Sequence, residues 1–162
     1  MKTPVTVSRC TAETEERKHV FEIFDYSLHM GMGNREHIQS GTFSVGSLDW
    51  AIRFYPDGAA ESGRSHISIY LELMSKDAMV WASCDFSLVD QETGLPTSVS
   101  KTEMRIFNSA DLSTFAPQTN LFIERSQFEA SPYLRLDHLV IKCIVTVRKA
   151  AQVSSTKGVF RW

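Results

Sequence analysis

Histidines, cysteines and aspartates are the side chains in this sequence that could do chemistry, and their spacing decides which chemistry is open to them. His19, His29, His37, His66 and His138 are scattered along the chain. None forms a His-Glu-x-x-His pair or a His/Cys cluster at zinc-ligand spacing, so they read as surface or strand-edge histidines rather than metal ligands. Cys10, Cys84 and Cys143 are far apart and odd in number. That is no disulfide framework, and it points to a reducing compartment, the cytoplasm or the nucleus. Cys84 and Cys143 fall on the apolar side of alternating runs, where a thiol is buried and inert. No Gly-x-Ser-x-Gly elbow marks a serine nucleophile. Gly31-Met32-Gly33 lacks the strand before and the helix after that a phosphate loop needs, and serves better as a strand connection. Asp57, Asp85, Asp90 and Asp137 read as turn and solvent-face carboxylates. The expectation is a protein with no catalytic residue, no metal site and no cofactor.

Tyr70 lies on the polar face of its run, opposite Ile69 and Leu71. Tyrosine offers apolar area plus a hydroxyl, which suits a binding surface. It also suits a cross-strand pair that stabilises a sheet by about 0.2–1 kcal/mol. Arg53 stands on a comparable face, where an arginine is usually solvated. Both alternatives stay open for Tyr70. Trp50, Tyr55 and Trp81 could stack on sugars. Trp50 alternates with Ile52 and Phe54, which places it in a core; Trp81 falls opposite Val80 and Ala82, which turns it outward.

The elements that must position these residues are strands. Ile67, Ile69, Leu71 and Leu73 share one face of a period-two run, and Ser68, Tyr70, Glu72 and Met74 share the other. Leu139, Ile141, Cys143, Val145 and Val147 repeat the pattern, as do Trp50, Ile52 and Phe54, and Val80 through Leu88. Shorter candidates are Val5–Arg9, His19–Phe24, Glu36–Phe43 and Glu103–Phe107. One polar face per strand predicts antiparallel sheets wet on one side. Pro56-Asp57-Gly58 is a turn with a mechanism, because proline presets φ and glycine tolerates positive φ. One short helix is expected, capped by Asn120 and running Leu121–Arg125. The fold class read from these signals is all-β, a sandwich or barrel.

Composition sets outer bounds. The chain has 162 residues, 43% hydrophobic and 22% charged, with a net charge of −2. That is one domain, able to bury roughly 70% of its unfolded surface without a staple. Near-neutral charge gives no reason to expect nucleic acid, and no basic run suggests a membrane surface. The apolar runs are strand length, far short of the ~20 residues of a membrane helix.

Several blocks together resemble a known family. They are His19-Val20-Phe21-Glu22-Ile23 with Tyr26-Ser27-Leu28; Ile38-x-Ser40-x-x-Phe43-x-x-Gly46; and Trp50-x-Ile52-x-Phe54-Tyr55-Pro56-Asp57-Gly58. Further along come Ile67 to Leu73, Asp85 to Asp90, and Phe122-Ile123-x-Arg125-x-x-Phe128-Glu129-Ala130-Ser131-x-Tyr133-Leu134. These blocks look like a MATH (TRAF-homology) domain, most of all that of the plant MATH–BTB family in its grass-type branch, with speckle-type POZ protein as a relative. The resemblance implies an eight-stranded antiparallel TRAF-like sandwich spanning residues 17–148, after a lead-in of residues 1–16; Gln152–Lys157 is polar and small, so residues 149–162 read as a flexible tail. It implies a module that binds substrate proteins through short extended peptide motifs, for delivery to a cullin–RING ubiquitin ligase. The cullin scaffold would be met only through a BTB domain in a longer form, because this sequence has none. The numbering from Met1 favours a stand-alone MATH product, which would act as a competitor or decoy. A carbohydrate-binding or hydrolytic sandwich is the alternative from another class.

Carried over residue by residue, the resemblance implies a peptide groove formed by Arg53, Tyr70, Cys84, Ser100, Met104, Phe115, Pro117, Thr119 and Asn120. Arg53, Tyr70 and Ser100 match the relative in type. Cys84 stands for an aromatic residue and Met104 for a tyrosine. Pro117-Gln118-Thr119 stands where the family has Trp-Gly-Phe, and Phe115 is placed to replace one ring. Hot-spot aromatics lost to smaller residues cost about 2 kcal/mol or more each. Two such losses come to roughly 4 kcal/mol, about a thousandfold at ~1.4 kcal/mol per decade. A Ser/Thr-rich peptide titrated by calorimetry is therefore expected to bind with a Kd near millimolar; low-micromolar binding would refute the reading.

Overall fold

Alternation drives the whole architecture. In the computed structural model, which describes residues 3–117, 119 and 121–158, the runs identified above are strands. In chain order they are β1 (Val5–Thr11), β2 (Thr14–Ile23), β3 (Ile38–Gln39), β4 (Phe43–Val45), β5 (Leu48–Tyr55), β6 (His66–Leu73), β7 (Met79–Val89), β8 (Pro96–Asn108), β9 (Phe115–Ala116), β10 (Ile123–Glu124), β11 (Leu139–Arg148) and β12 (Gln152–Gly158). Two short helices, α1 (Tyr26–His29) and α2 (Arg125–Glu129), lie between strands.

One sheet runs β10-β6-β5-β3, with β4 also on β5 and β9 also on β6; the other runs β2-β11-β7-β8. All pairings are antiparallel. Each edge of the first sheet is a strand broken in two. β3 and β4 share β5, and Ser40 bridges their break. Its N–H donates to the Ile52 carbonyl (2.8 Å), and its Oγ accepts from the Ile52 N–H (2.9 Å). β9 and β10 share β6 and are separated by Pro117 to Phe122. Taking each broken strand as one, the two sheets hold four strands apiece, the eight of a TRAF-like sandwich.

The sheets close on one core. Trp50, Ile52 and Phe54 of β5 and Ile67, Ile69, Leu71 and Leu73 of β6 meet Phe86 and Leu88 of β7 and Ile141, Cys143 and Val145 of β11. Trp50 is fully buried; its Nε1–H donates to the Val45 carbonyl (3.1 Å), and its ring meets Phe107 edge-on at 5.1 Å. A buried indole keeps its burial energy only if the N–H is partnered, and this one is.

Two expectations need correction. The helix expected over Leu121–Arg125 begins only at Arg125. The Phe122 N–H donates to the Ile67 carbonyl (3.1 Å), and Ile123 pairs with Ile67, so the edge of β6 takes these residues first. Asn120, the expected cap, lies outside the described residues. The second correction concerns residues 149–162, expected to be a flexible tail. Residues 152–158 are β12, paired along its length with β1 from Thr11↔Gln152 to Val5↔Gly158. Serine, threonine and valine suit a ribbon that needs ladder bonds rather than a core, so hydropathy carried no sign of it. The Lys149 N–H donates to the Glu13 carbonyl (2.8 Å), carrying the β2–β11 ladder into this ribbon.

Gly46 joins β4 to β5 at φ 62°, where its N–H donates to the Glu15 carboxylate. A Cβ there would lie 2.5 Å from Val147 Cγ1 and 2.9 Å from Val147 Cβ. Gly46→Ala therefore combines left-handed strain with a clash against a core strand, and should cost about 2–4 kcal/mol. Urea unfolding checks this; a loss under ~0.5 kcal/mol, the scale of an ordinary surface substitution, would mean the close approach carries no strain.

Candidate peptide-binding cleft

The pleat turns Arg53 and Tyr55 of β5, and Tyr70 and Glu72 of β6, away from the core. Their neighbours Ile52, Phe54, Ile69 and Leu71 face inward and are fully or almost fully buried. Arg53 and Tyr70 are direct cross-strand partners, and Glu72 is the partner of Phe115 on β9. On this outer face, Arg53, Tyr55, Ala59, Tyr70, Leu112, Phe115 and Pro117 line a cleft of about 270 Å³.

Three rings make its walls. Tyr55 meets Tyr70 edge-on at 5.6 Å, and Tyr70 meets Phe115 at 6.3 Å and 72°. The Arg53 guanidinium sits 4.9 Å from the Phe115 ring centroid, a cation–π contact. Its Nε and Nη2 donate to the two Glu72 carboxylate oxygens at 2.9 and 3.2 Å, and Nη1 to the Tyr55 hydroxyl at 3.4 Å. Burial alone would lower the Arg53 pKa. The Tyr55 hydrogen bond and the Glu72 charge outweigh it, so the net shift is upward. Burial also raises the Tyr70 hydroxyl, with the neighbouring Tyr55 adding to it. His37, tilted 5.1 Å from the Tyr55 ring, is held below its usual pKa by burial first and by Arg53 second.

The walls are braced from outside the sheet. Arg105 of β8 reaches across from the other layer, and its Nη1 donates to the Phe115 carbonyl (2.8 Å). Thr114 Oγ1 donates to the Leu73 carbonyl (3.0 Å), and Asp111 caps the 3-10 turn Leu112–Thr114 by accepting from the Ser113 N–H (2.8 Å). At the opposite end, the Asp57 carboxylate accepts from the N–H groups of Gly31 and Gly33. Asn34 Nδ2 donates to the carbonyls of Asp57, Gly58 and Ala60, which fixes the loop that carries Ala59.

Of the residues expected in a groove, the structure brings Arg53, Tyr70, Phe115 and Pro117 together. Cys84 is a correction. It faces the core from β7 at 2% exposure, because it alternates with outward Asp85 and shares its side with Phe86 and Ala82. Ser100 and Met104 belong to β8 in the other sheet and do not line the cleft. Thr119 is exposed and caps its own turn, accepting from the Leu121 N–H at 3.2 Å, and it is not among the residues that line the cleft. Asn120 falls outside the described residues. Tyr55, Glu72, Leu112 and Arg105 were missed. For Tyr55 and Glu72 a signal existed, since each shares a strand face with Arg53 or Tyr70. Arg105 acts from the other sheet, and no local pattern marks it. Of the candidate sugar-stacking rings, Trp50 and Tyr55 are buried, and Trp81 is 40% exposed with the Arg148 guanidinium 4.6 Å from its ring centroid. Among the described residues no group of three or more His, Cys, Asp or Glu side chains is placed to hold a metal ion.

A family model for the MATH domain matches residues 18–145. The chain belongs to the MATH-domain family. This MATH domain is 36% identical over 159 residues to BTB/POZ and MATH domain-containing protein 3 of Arabidopsis thaliana, covering 91% of this chain and 37% of that protein. It is 35% identical over 150 residues to protein 5 of the same series, covering 88% and 36%. The chain thus spans little more than a third of the length of these relatives. A solved structure of Notothenia coriiceps TRAF5 superposes with a TM-score of 0.57 at 18% identity, covering 90% of this chain and 76% of that one, which shows the shared fold. No helix among the described residues is long and apolar enough to cross a membrane.

The three thiols of this MATH domain divide sharply. Burial pushes Cys84 up to about 11 and holds Cys143 well above the usual thiol range, while Cys10 is exposed on the ribbon. A thiolate is the reactive form. Near neutral pH an alkylating reagent should therefore modify Cys10 alone, and the other two only after unfolding. Mass spectrometry of digested native protein reads this; modification of Cys84 at the rate of Cys10 would show that its strand opens.

Proposed function

We propose that this MATH domain is a protein-interaction module that captures partner proteins by a short extended segment laid against the cleft between Tyr70 and Phe115. One observation carries the reading: an aromatic-walled cleft on the outer face of a sheet, beside an edge strand that is broken between Ala116 and Ile123. Outward rings on a rigid sheet give a ligand apolar area at little entropic cost. Peptide recognition on a sheet face works by pockets that select side chains of an extended segment, and the rings beside β6 supply such a pocket. Arg105, Thr114 and Asp111 fix the Phe115 wall before any ligand arrives, and preorganisation of this kind favours affinity.

The family supports a finer version. The Arabidopsis relatives carry BTB/POZ in their names together with MATH, which supports reading a longer form of this protein as the substrate-recognition part of a cullin–RING ubiquitin ligase adaptor. As a MATH domain alone, the chain would occupy the same partners without delivering them. Both versions use the same cleft.

Affinity purification from the native tissue, followed by mass spectrometry and peptide mapping, supplies the ligand. For that ligand, Tyr70→Ala and Phe115→Ala should each weaken binding by about thirtyfold, or ~2 kcal/mol. Ser100→Ala, in the other sheet, should leave binding unchanged. Calorimetry on folded variants decides it; equal losses at all three positions, or none at any, would move the binding surface elsewhere.

A further inference from the structure

The cleft contains a charge that is already satisfied. Arg53 is the cation among its lining residues, and the Glu72 carboxylate holds it by two contacts at 2.9 and 3.2 Å. Both side chains are largely buried, at 24% and 14% exposure, so water screens neither well. The same guanidinium covers one face of Phe115 and bonds the Tyr55 hydroxyl. What the cleft offers a ligand is therefore electrically neutral: a closed ion pair, ring surface from Tyr70 and Phe115, and aliphatic surface from Leu112 and Pro117.

From this geometry we infer that Glu72 is a specificity-determining residue, and that by neutralising Arg53 it restricts the cleft to peptide segments whose anchoring side chain is uncharged. The inference rests on the reading of the cleft as a peptide site. An anionic anchor would lose its hydration and find the guanidinium committed to Glu72. A cationic anchor would meet Arg53 already seated over Phe115, with the carboxylate occupied. A neutral apolar or aromatic side chain loses little hydration and gains contact with both rings. The alternation of β6 places Glu72 two residues from Tyr70 on the same outward face, and its cross-strand partner is Phe115 itself. The selecting group thus stands beside Phe115 and behind Arg53, at the margin of the cleft it governs. Without the carboxylate, Arg53 would present a planar fork free to take an acidic residue or a phosphorylated serine as a charge-assisted, two-pronged partner.

The test selects a random-peptide display library on the wild-type domain, on Glu72→Gln and on Tyr70→Ala in parallel. Wild type should yield peptides that Tyr70→Ala no longer holds. The residue of each peptide whose change to alanine costs most should be uncharged. Placing aspartate or phosphoserine at that residue should weaken binding to wild type by about tenfold or more, and Glu72→Gln should reverse the preference, as expected for a charge-assisted bond gained. The charge series on wild type alone keeps the test decisive should Glu72→Gln fold poorly. Tyr70-dependent peptides anchored by aspartate, glutamate or phosphoserine would overturn the inference and leave the peptide-site reading standing. So would an unchanged preference in folded Glu72→Gln. Selection of no Tyr70-dependent peptide would overturn both.

Discussion

Trp50 is the constraint on which the arrangement depends. Its indole is fully buried between the layers, tied through Nε1 to the Val45 carbonyl and set edge-on to Phe107. A side chain of that size, with its one donor satisfied, tolerates a single register of β5. A one-residue slip would expose it and would turn Arg53 inward in its place. The outward placement of Arg53 and Tyr55 is thus a consequence of where Trp50 must be. The pairing of β5 with β6 hands the same choice to Tyr70 and Glu72. The cleft is the reverse side of the core, fixed by the same pleat.

This link explains why the fold was legible from residue order. Ile67 to Leu73 and Leu139 to Val147 alternate cleanly because one side of each strand is dry and the other wet. Legibility stopped where burial stopped. β8 runs from Pro96 to Asn108, but only its end, from Glu103 to Phe107, showed a pattern. The stretch from Thr97 to Thr102 has Val99 as its one apolar residue and is only half-buried at most, too little for an alternation to show. β12 was invisible for the same reason, and α1 is a single turn with no room for a helical period.

The site was legible in part, and again for a physical reason. Arg53 and Tyr70 stand out as large outward residues on strands, and Phe115 and Pro117 join them in space. Cys84 was misplaced because correspondence to a relative's ring said nothing of its side, whereas its own neighbours Ala82 and Phe86 did. Ser100 and Met104 belong to a layer that a linear reading cannot tell from the first. Arg105 was beyond reach altogether. It contributes through one bond to a backbone carbonyl ten positions on, brought near by the loop around Asp111.

The ribbon of β1 and β12 has a mechanical meaning. Val5 and Gly158 are paired neighbours, so the two ends of the described chain leave the molecule side by side. Tension drawn between them would act across the ladder, opening its rungs in turn as a zipper opens, from Val5↔Gly158 inward. That is the weak direction of an antiparallel pair, since each bond is loaded alone instead of all together. The ribbon would yield first and leave the sandwich, with its outer-face cleft, intact under a load that had already lengthened the tether.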